Sequence, residues 1–263
     1  MPLREYAARP VLVLLLTALL LFGCDNPAPP DRDVIFQQST LEALQSGEYD
    51  GQVTYSELEQ HGDFGLGTFH ALDGEMVAFD GGVYQVTADG VAHEVEDSSR
   101  TPFAVMTYFD ADQAVALREA VACPELGELI DAQLPDLALP YAIKVSGNFE
   151  SLTTRSVPRQ EKPYPPLADV IAVQPTFEFV DVKGVMVGFR LPDIMDGANA
   201  TGYHWHFLTN DRTSGGHVLV CRTADVLIEI DQADEWQVKL PGSAVGAGSR
   251  TRPAPYPPGA GRE

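Results

Sequence analysis

Three of the chain's six histidines, His204, His206 and His217, fall within one short stretch, residues 201–220. His204 and His206 are two apart in an aromatic-rich segment that reads as a β-strand. Residues i and i+2 of a strand point to the same face, roughly 6.5–7 Å apart, so two imidazoles there can lean onto one metal ion. Residues 209–216 are polar and end in Gly-Gly, the composition of a hairpin turn. A second strand then begins at His217 and carries its ring back towards the first pair. Three neutral imidazoles with no fourth protein ligand nearby form the donor set of a catalytic Zn²⁺ site with an open position. The plain alternative is a strand with ordinary half-buried histidines. A His-x-His pair alone favours that alternative; the third histidine at hairpin distance favours the metal.

Those rings need a rigid frame, and the rest of the chain is patterned to build one. Residues 67–72, 75–79, 83–86 and 91–95 are short runs separated by Asp73-Gly74, Asp80-Gly81-Gly82 and Asp89-Gly90. Asp-Gly between alternating runs is a strong hairpin signal, so a β-meander is expected, continued by 103–108. Short helices are expected at 41–45, behind Ser39 or Thr40, and at 54–58. The spacing of Val115, Leu117 and Val121 predicts a further helix over 111–122, with another at 125–134. Strands are expected at 141–145 and 149–157, and Lys183-Gly184 reads as the turn of a hairpin between 177–182 and 185–190. Strands at 225–230 and 236–240 follow. The sum is a strand-rich α+β fold. An N-terminal meander sheet with short helices (34–138) packs on a second β unit (139–240) carrying the metal-binding hairpin.

Composition narrows the function. Hydrophobic residues make up 44% of the 263, enough for a real core, and the formal net charge is −21. A chain so acidic repels phosphate backbones, which argues against nucleic-acid binding. It also repels small anions, so an anion site needs a local cation. Arg4 and Arg9 precede an apolar run at 11–21 that ends in Leu21-Phe22-Gly23-Cys24. This has the form of an export signal closed by a lipobox, with Cys24 as the lipidated residue. Ordinary signal cleavage, with Cys24 incidental, is the alternative. Residues 25–33 read as a flexible tether and 241–263 as a Gly/Pro-rich tail without periodicity. The expected location is therefore the periplasm or cell envelope, with a lipid anchor in a membrane. Cys123 and Cys221 either pair, as an oxidising compartment permits, or stay free and buried.

Several long blocks carry a family resemblance. They are Gln38-Ser39-Thr40-Leu41-Glu42-Ala43-Leu44, Gly62-Asp63-Phe64-Gly65-Leu66-Gly67-Thr68-Phe69, Leu72-Asp73-Gly74-Glu75 and Val157-Pro158-Arg159-Gln160-Glu161-Lys162-Pro163-Tyr164. The longest is Gly202-Tyr203-His204-Trp205-His206-Phe207-Leu208, followed by Asp211-Arg212-Thr213-Ser214-Gly215-Gly216-His217-Val218. In this order, across residues 34–240, the chain resembles the bacterial α-acetolactate decarboxylases. The resemblance implies two closely joined α/β units, often as a homodimer, and loss of CO₂ from 2-acetolactate to give acetoin through an enediolate. It places the zinc ligands on His204, His206 and His217, and the active-site arginine on Arg155. A catalytic glutamate falls on Glu75 and a pocket-lining threonine on Thr68. Family members also carry a second catalytic glutamate in a C-terminal tail that folds back onto the zinc. Glu263 is the one carboxylate side chain after Glu235. It takes that role if the tail folds back, and is otherwise a solvated terminus.

The chemistry suits these groups. Breaking the bond to CO₂ drives an electron pair towards the ketone, and a Lewis acid favours that change. Arg155 would dock the substrate carboxylate by bidentate pairing, or else be a surface ion-pair former. Glu75 would protonate the enediolate carbon, which requires a carboxyl kept protonated by burial; otherwise it is a turn carboxylate. Thr68 would orient a hydroxyl, or is a plain strand threonine. His61, His70 and His93 have no partner pattern and read as structural or exposed, and Trp205 as core. A second class of function, a metal- or ligand-binding lipoprotein inactive through its divergent tail, fits the same residues. A zinc hydrolase fits less well, because no carboxylate stands at His-Glu-x-x-His spacing.

Overall fold

The computed structural model describes residues 33–242. Cys24, most of the tether, and residues 243–263 of the tail, with Glu263, lie outside the described residues. The described residues open with β1 (Val34–Gln38), α1 (Leu41–Gln45), β2 (Val53–Thr54) and α2 (Tyr55–Leu58). Both helices start where a threonine satisfies free N–H groups. The Thr40 hydroxyl accepts from the Ala43 amide, and Thr54 and Glu57 form a reciprocal capping box. The meander follows as β3 (Phe64–Thr68), β4 (Glu75–Phe79), β5 (Gly82–Val86) and β6 (Ala92–Glu94). The short β7 (Arg100–Thr101) pairs with β2, and β8 (Ala104–Thr107) comes next. Beyond these lie β9 (Gln113–Leu117), α3 (Cys123–Asp131), β10 (Tyr141–Arg155), α4 (Leu167–Ile171) and β11 (Thr176–Leu191). The described chain ends with β12 (Gly202–Thr209), β13 (Gly215–Gln232) and β14 (Glu235–Lys239).

Seven strands form one sheet in the order β14-β1-β8-β3-β4-β5-β6. The other sheet runs β10-β11-β12-β13-β9, and β10 also pairs with β13, so β10, β11, β12 and β13 form a closed hydrogen-bonded circuit. The strand-rich α+β expectation matches this architecture. Each of two strands joins the sheet opposite to its place in the 34–138 and 139–240 division. β9 pairs with β13, and β14 returns to lie parallel to β1.

Two local expectations fail. Residues 111–122 form no helix; their centre is β9, antiparallel to Val226–Ile230 of β13. Val115 and Leu117 fit a period of two as well as a helical one, and the open edge of β13 decides between them. Lys183-Gly184 is not a turn either. Both residues sit mid-strand in β11, opposite Asn148 and Gly147 of β10, and the ring of Phe207 occupies the space a Cβ at Gly184 would fill. That glycine serves close packing rather than chain reversal. Likewise β10 runs unbroken from Tyr141 to Arg155, bending at irregularities near Asn148–Ser151.

The sheets meet through a shared core. Leu66, Val77 and Val105 of the first pack with Val187, Phe189 and Leu208 of the second. Behind the second sheet, Trp205 and Phe207 join Ile143, Val145 and Leu126 in a separate cluster. A disulfide between Cys123 and Cys221 ties the start of α3 to β13, which resolves the open question about these thiols.

Candidate metal centre and active site

Alternation along β12 divides its side chains. Tyr203, Trp205 and Phe207 enter the rear core, so His204 and His206 face the first sheet. His217 stands directly across from His206 in the β12–β13 pair. The chain reverses at residues 210–213, where the Arg212 amide donates to Thr209 and Arg212 takes a positive φ, so Gly215 and Gly216 already belong to β13 rather than to the turn. At Gly216, φ +129°, a Cβ would run into the Arg155 carbonyl. One donor nitrogen from each ring lies within 4.8 Å of the others, and His204 Nε2 is 3.2 Å from His217 Nδ1. Ligand nitrogens on a tetrahedral Zn²⁺ are separated by roughly 3.3 Å, given bonds of about 2.0–2.1 Å.

The local chemistry prepares these rings as ligands. His206 Nδ1 lies 2.6 Å from the Met76 carbonyl, a contact made by donating its proton to that oxygen. This assigns the tautomer and leaves the Nε2 lone pair facing the cluster, where it is buried without a hydrogen-bond partner. Burial holds all three imidazoles well below the usual histidine pKa, His204 down to about 4, and the nearby Arg155 charge pushes each the same way. They are neutral at physiological pH, as ligation requires. Among the described residues, these three form the one group of His, Cys, Asp or Glu close enough to hold a metal ion. The donor set, the spacing and the unpartnered Nε2 all fit Zn²⁺.

Glu75 enters from the other sheet. As the first residue of β4 it shares a face with Val77, towards β12, and its Oε2 lies 3.4 Å from His206 Nε2. The turn before it is unusual. Ala71 and Leu72 have positive φ, as does Gly74, where a Cβ would strike the Val86 carbonyl. Outside bonds fasten this turn. The Gly74 amide donates to Val157, the Gln160 amide donates to Ala71, and Arg159 pairs with Asp73 at 3.2 Å. Two sequence blocks far apart in the chain thus meet to place Glu75. Burial raises its pKa to about 7, against the opposing pull of Arg155. Thr68 stands opposite Glu75 in the β3–β4 register, and its hydroxyl donates to the Gly74 carbonyl at 2.7 Å. Its oxygen keeps acceptor capacity.

Arg155 closes β10 directly across from His217. Its Nη1 donates to Gln174 Oε1 at 2.6 Å, while its Nε is buried without a partner. Sequence reasoning missed Gln174 and the Met76 carbonyl. A lone glutamine carries no motif, and a backbone oxygen leaves no mark on residue type. The other histidines lie elsewhere. His61 stacks on Phe36, His70 accepts from the Gly51 amide, and His93 is exposed.

Fold and site together place a cluster of three histidines, a buried carboxyl and an arginine between two sheets, the arrangement of a candidate active site for a small molecule. The particular family follows from comparison with known proteins. Residues 35–245 match the family model described as alpha-acetolactate decarboxylase, and the chain belongs to that family. It is 47% identical over 211 residues to the alpha-acetolactate decarboxylase of Methanosarcina mazei, covering 80% of this chain and 73% of that protein. Identity to the Klebsiella aerogenes enzyme of the same name is 44% over 212 residues, 81% of each. The crystal structure of alpha-acetolactate decarboxylase from Bacillus subtilis strain 168 superposes with a TM-score of 0.79 at 39% identity, covering 80% of this chain and 90% of that one. The chain is a decarboxylase.

Proposed function

We propose that this chain converts 2-acetolactate to acetoin and CO₂ at the histidine cluster, with Zn²⁺ held by His204, His206 and His217. The observation that carries this reading is the convergence of three donor nitrogens, one from fully buried His206 and two from half-buried His204 and His217, beside Glu75. A Zn²⁺ so held supplies Lewis acidity to the oxygen that gains charge as the carbon–carbon bond breaks. Arg155 pairs with the substrate carboxylate and fixes which bond is aligned for cleavage. When CO₂ leaves, the bond's electron pair passes into an enediolate, and Glu75 delivers a proton to one of its carbons. A carboxyl with a pKa near 7 is suited to that transfer. The Thr68 oxygen accepts from a substrate hydroxyl.

The test is an acetoin assay on the purified full chain with chelator and then with Zn²⁺ restored. Activity should vanish and return. Metal-loaded protein that leaves acetolactate unchanged beyond its spontaneous decay would falsify the proposal. Export with lipidation at Cys24 belongs to the same reading. Its supports are the basic and apolar leader ending in Cys24 and the Cys123–Cys221 disulfide, which suits an oxidising compartment. Cys24→Ser should move the protein from the membrane fraction to the soluble one; an unchanged distribution would rule out the anchor.

A further inference from the structure

We propose that Gln174 is a positioning residue: it aims the Arg155 guanidinium into the site while leaving its positive charge for the substrate carboxylate. The inference rests on the reading of Arg155 given above. A guanidinium has five N–H donors in a fixed plane, so one good anchor sets the orientation of the whole fork. Gln174 supplies that anchor at 2.6 Å through Oε1. Among the described residues, no carboxylate lies within ion-pairing distance of Arg155, and the buried Nε has no acceptor. The charge is therefore oriented without a direct ion pair, its field reaching the neighbouring Glu75.

The anchor is itself held in place. Gln174 follows α4, where its amide reaches the Ile171 carbonyl. The next residue, Pro175, accepts the amide of Ser156, the neighbour of Arg155, and Thr176 then pairs with Arg155 in the β10–β11 register. The glutamine and the arginine are thus braced against each other by backbone bonds. A glutamate at 174 would have the same shape and reach, yet would form an ion pair with Arg155. An incoming carboxylate would then meet a neutral pair in a strongly acidic protein, and would have to compete for the fork. The neutral amide avoids that competition.

The experiment compares the Zn²⁺-loaded full chain with its Gln174→Glu, Gln174→Met and Arg155→Ala variants. It measures kcat and KM for 2-acetolactate and inhibition by acetoin, which lacks the carboxylate. Gln174→Glu should raise KM about tenfold or more, with a smaller change in kcat, while the acetoin inhibition constant stays within about twofold. Gln174→Met keeps the bulk and loses the acceptor, so its KM should rise by less. A Gln174→Glu enzyme with wild-type KM overturns the inference, as does one whose affinities for acetolactate and acetoin fall together, since that marks structural damage. If wild type is active but Arg155→Ala leaves KM unchanged, the docking role of Arg155 fails, and the role of Gln174 with it. An inactive wild type instead refutes the decarboxylase reading itself.

Discussion

Glu75→Gln should move activity and stability in opposite directions. The substitution keeps the shape of the side chain and removes the transferable proton. Loss of a positioned general acid typically lowers kcat by about 10²–10⁴-fold, roughly 3–5 kcal/mol of barrier. Stability follows from the same burial that suits Glu75 to its task. With metal chelated, its carboxyl titrates from 4.5 in the reference state to about 7 in the fold. A native carboxyl with a raised pKa holds its proton longer than the unfolded one does. Its destabilising effect is thus absent below pH 4.5, grows as the pH climbs, and is complete above pH 7. The gap corresponds to about 3 kcal/mol. Glutamine stays neutral throughout, and its amide can donate to the unpartnered His206 Nε2. Denaturant unfolding of the chelated proteins should show the variant more stable by about 3 kcal/mol at pH 8 and level with wild type near pH 4.5. The assay pairs that comparison with kcat of the Zn²⁺-loaded enzymes. A variant that unfolds more easily at pH 8, or that retains kcat, would refute the assignment of Glu75 as a buried acid.

Other outcomes can be checked alongside. Burial raises the Asp231 pKa to about 7, with repulsion from Asp112, Asp33 and Asp110 adding to it. Its effect on stability is likewise absent below about pH 4 and complete above pH 7, so Asp231→Asn should stabilise the protein by about 2–4 kcal/mol at pH 8 and flatten its stability profile between pH 4 and 7; a pH-independent difference would contradict this. The Cys123–Cys221 bridge spans 98 residues of sequence, and replacing both cysteines with serine should cost about 2–5 kcal/mol of unfolding free energy while kcat of the folded fraction persists. If Glu263 takes the second-carboxylate role, truncation after Gly242 lowers kcat about tenfold or more; an unchanged rate would exclude Glu263 from the mechanism.

Much of the site was legible in one dimension because its parts are local. His-x-His in an aromatic strand places two rings on one face by the pleat alone, and the polar turn that follows returns the third, although Gly215-Gly216 lies in β13 rather than in the turn itself. Asp73-Gly74 similarly announced a reversal just before Glu75, and Thr40 and Thr54 announced the helix starts. Where local periodicity was ambiguous, tertiary contacts chose. Residues 113–117 became a strand because β13 had an edge to pair, and Gly184 stayed extended because the Phe207 ring needed its space.

The amino-acid order alone determined the candidate set of three histidines, the strand-rich class and the family, since each depends on residue types at short spacing or on long matching blocks. The tertiary structure alone decided that Glu75 from one sheet stands 3.4 Å from His206 of the other, that Met76 sets a tautomer, that Cys123 and Cys221 pair, and that Gln174 holds Arg155. Those contacts join residues from 19 to 131 positions apart. No periodicity encodes such distances; docking of one sheet on the other, driven by apolar burial across their shared face, brings Glu75 and Met76 to His206, while strand pairing and packing around the second sheet bring the other two pairs together.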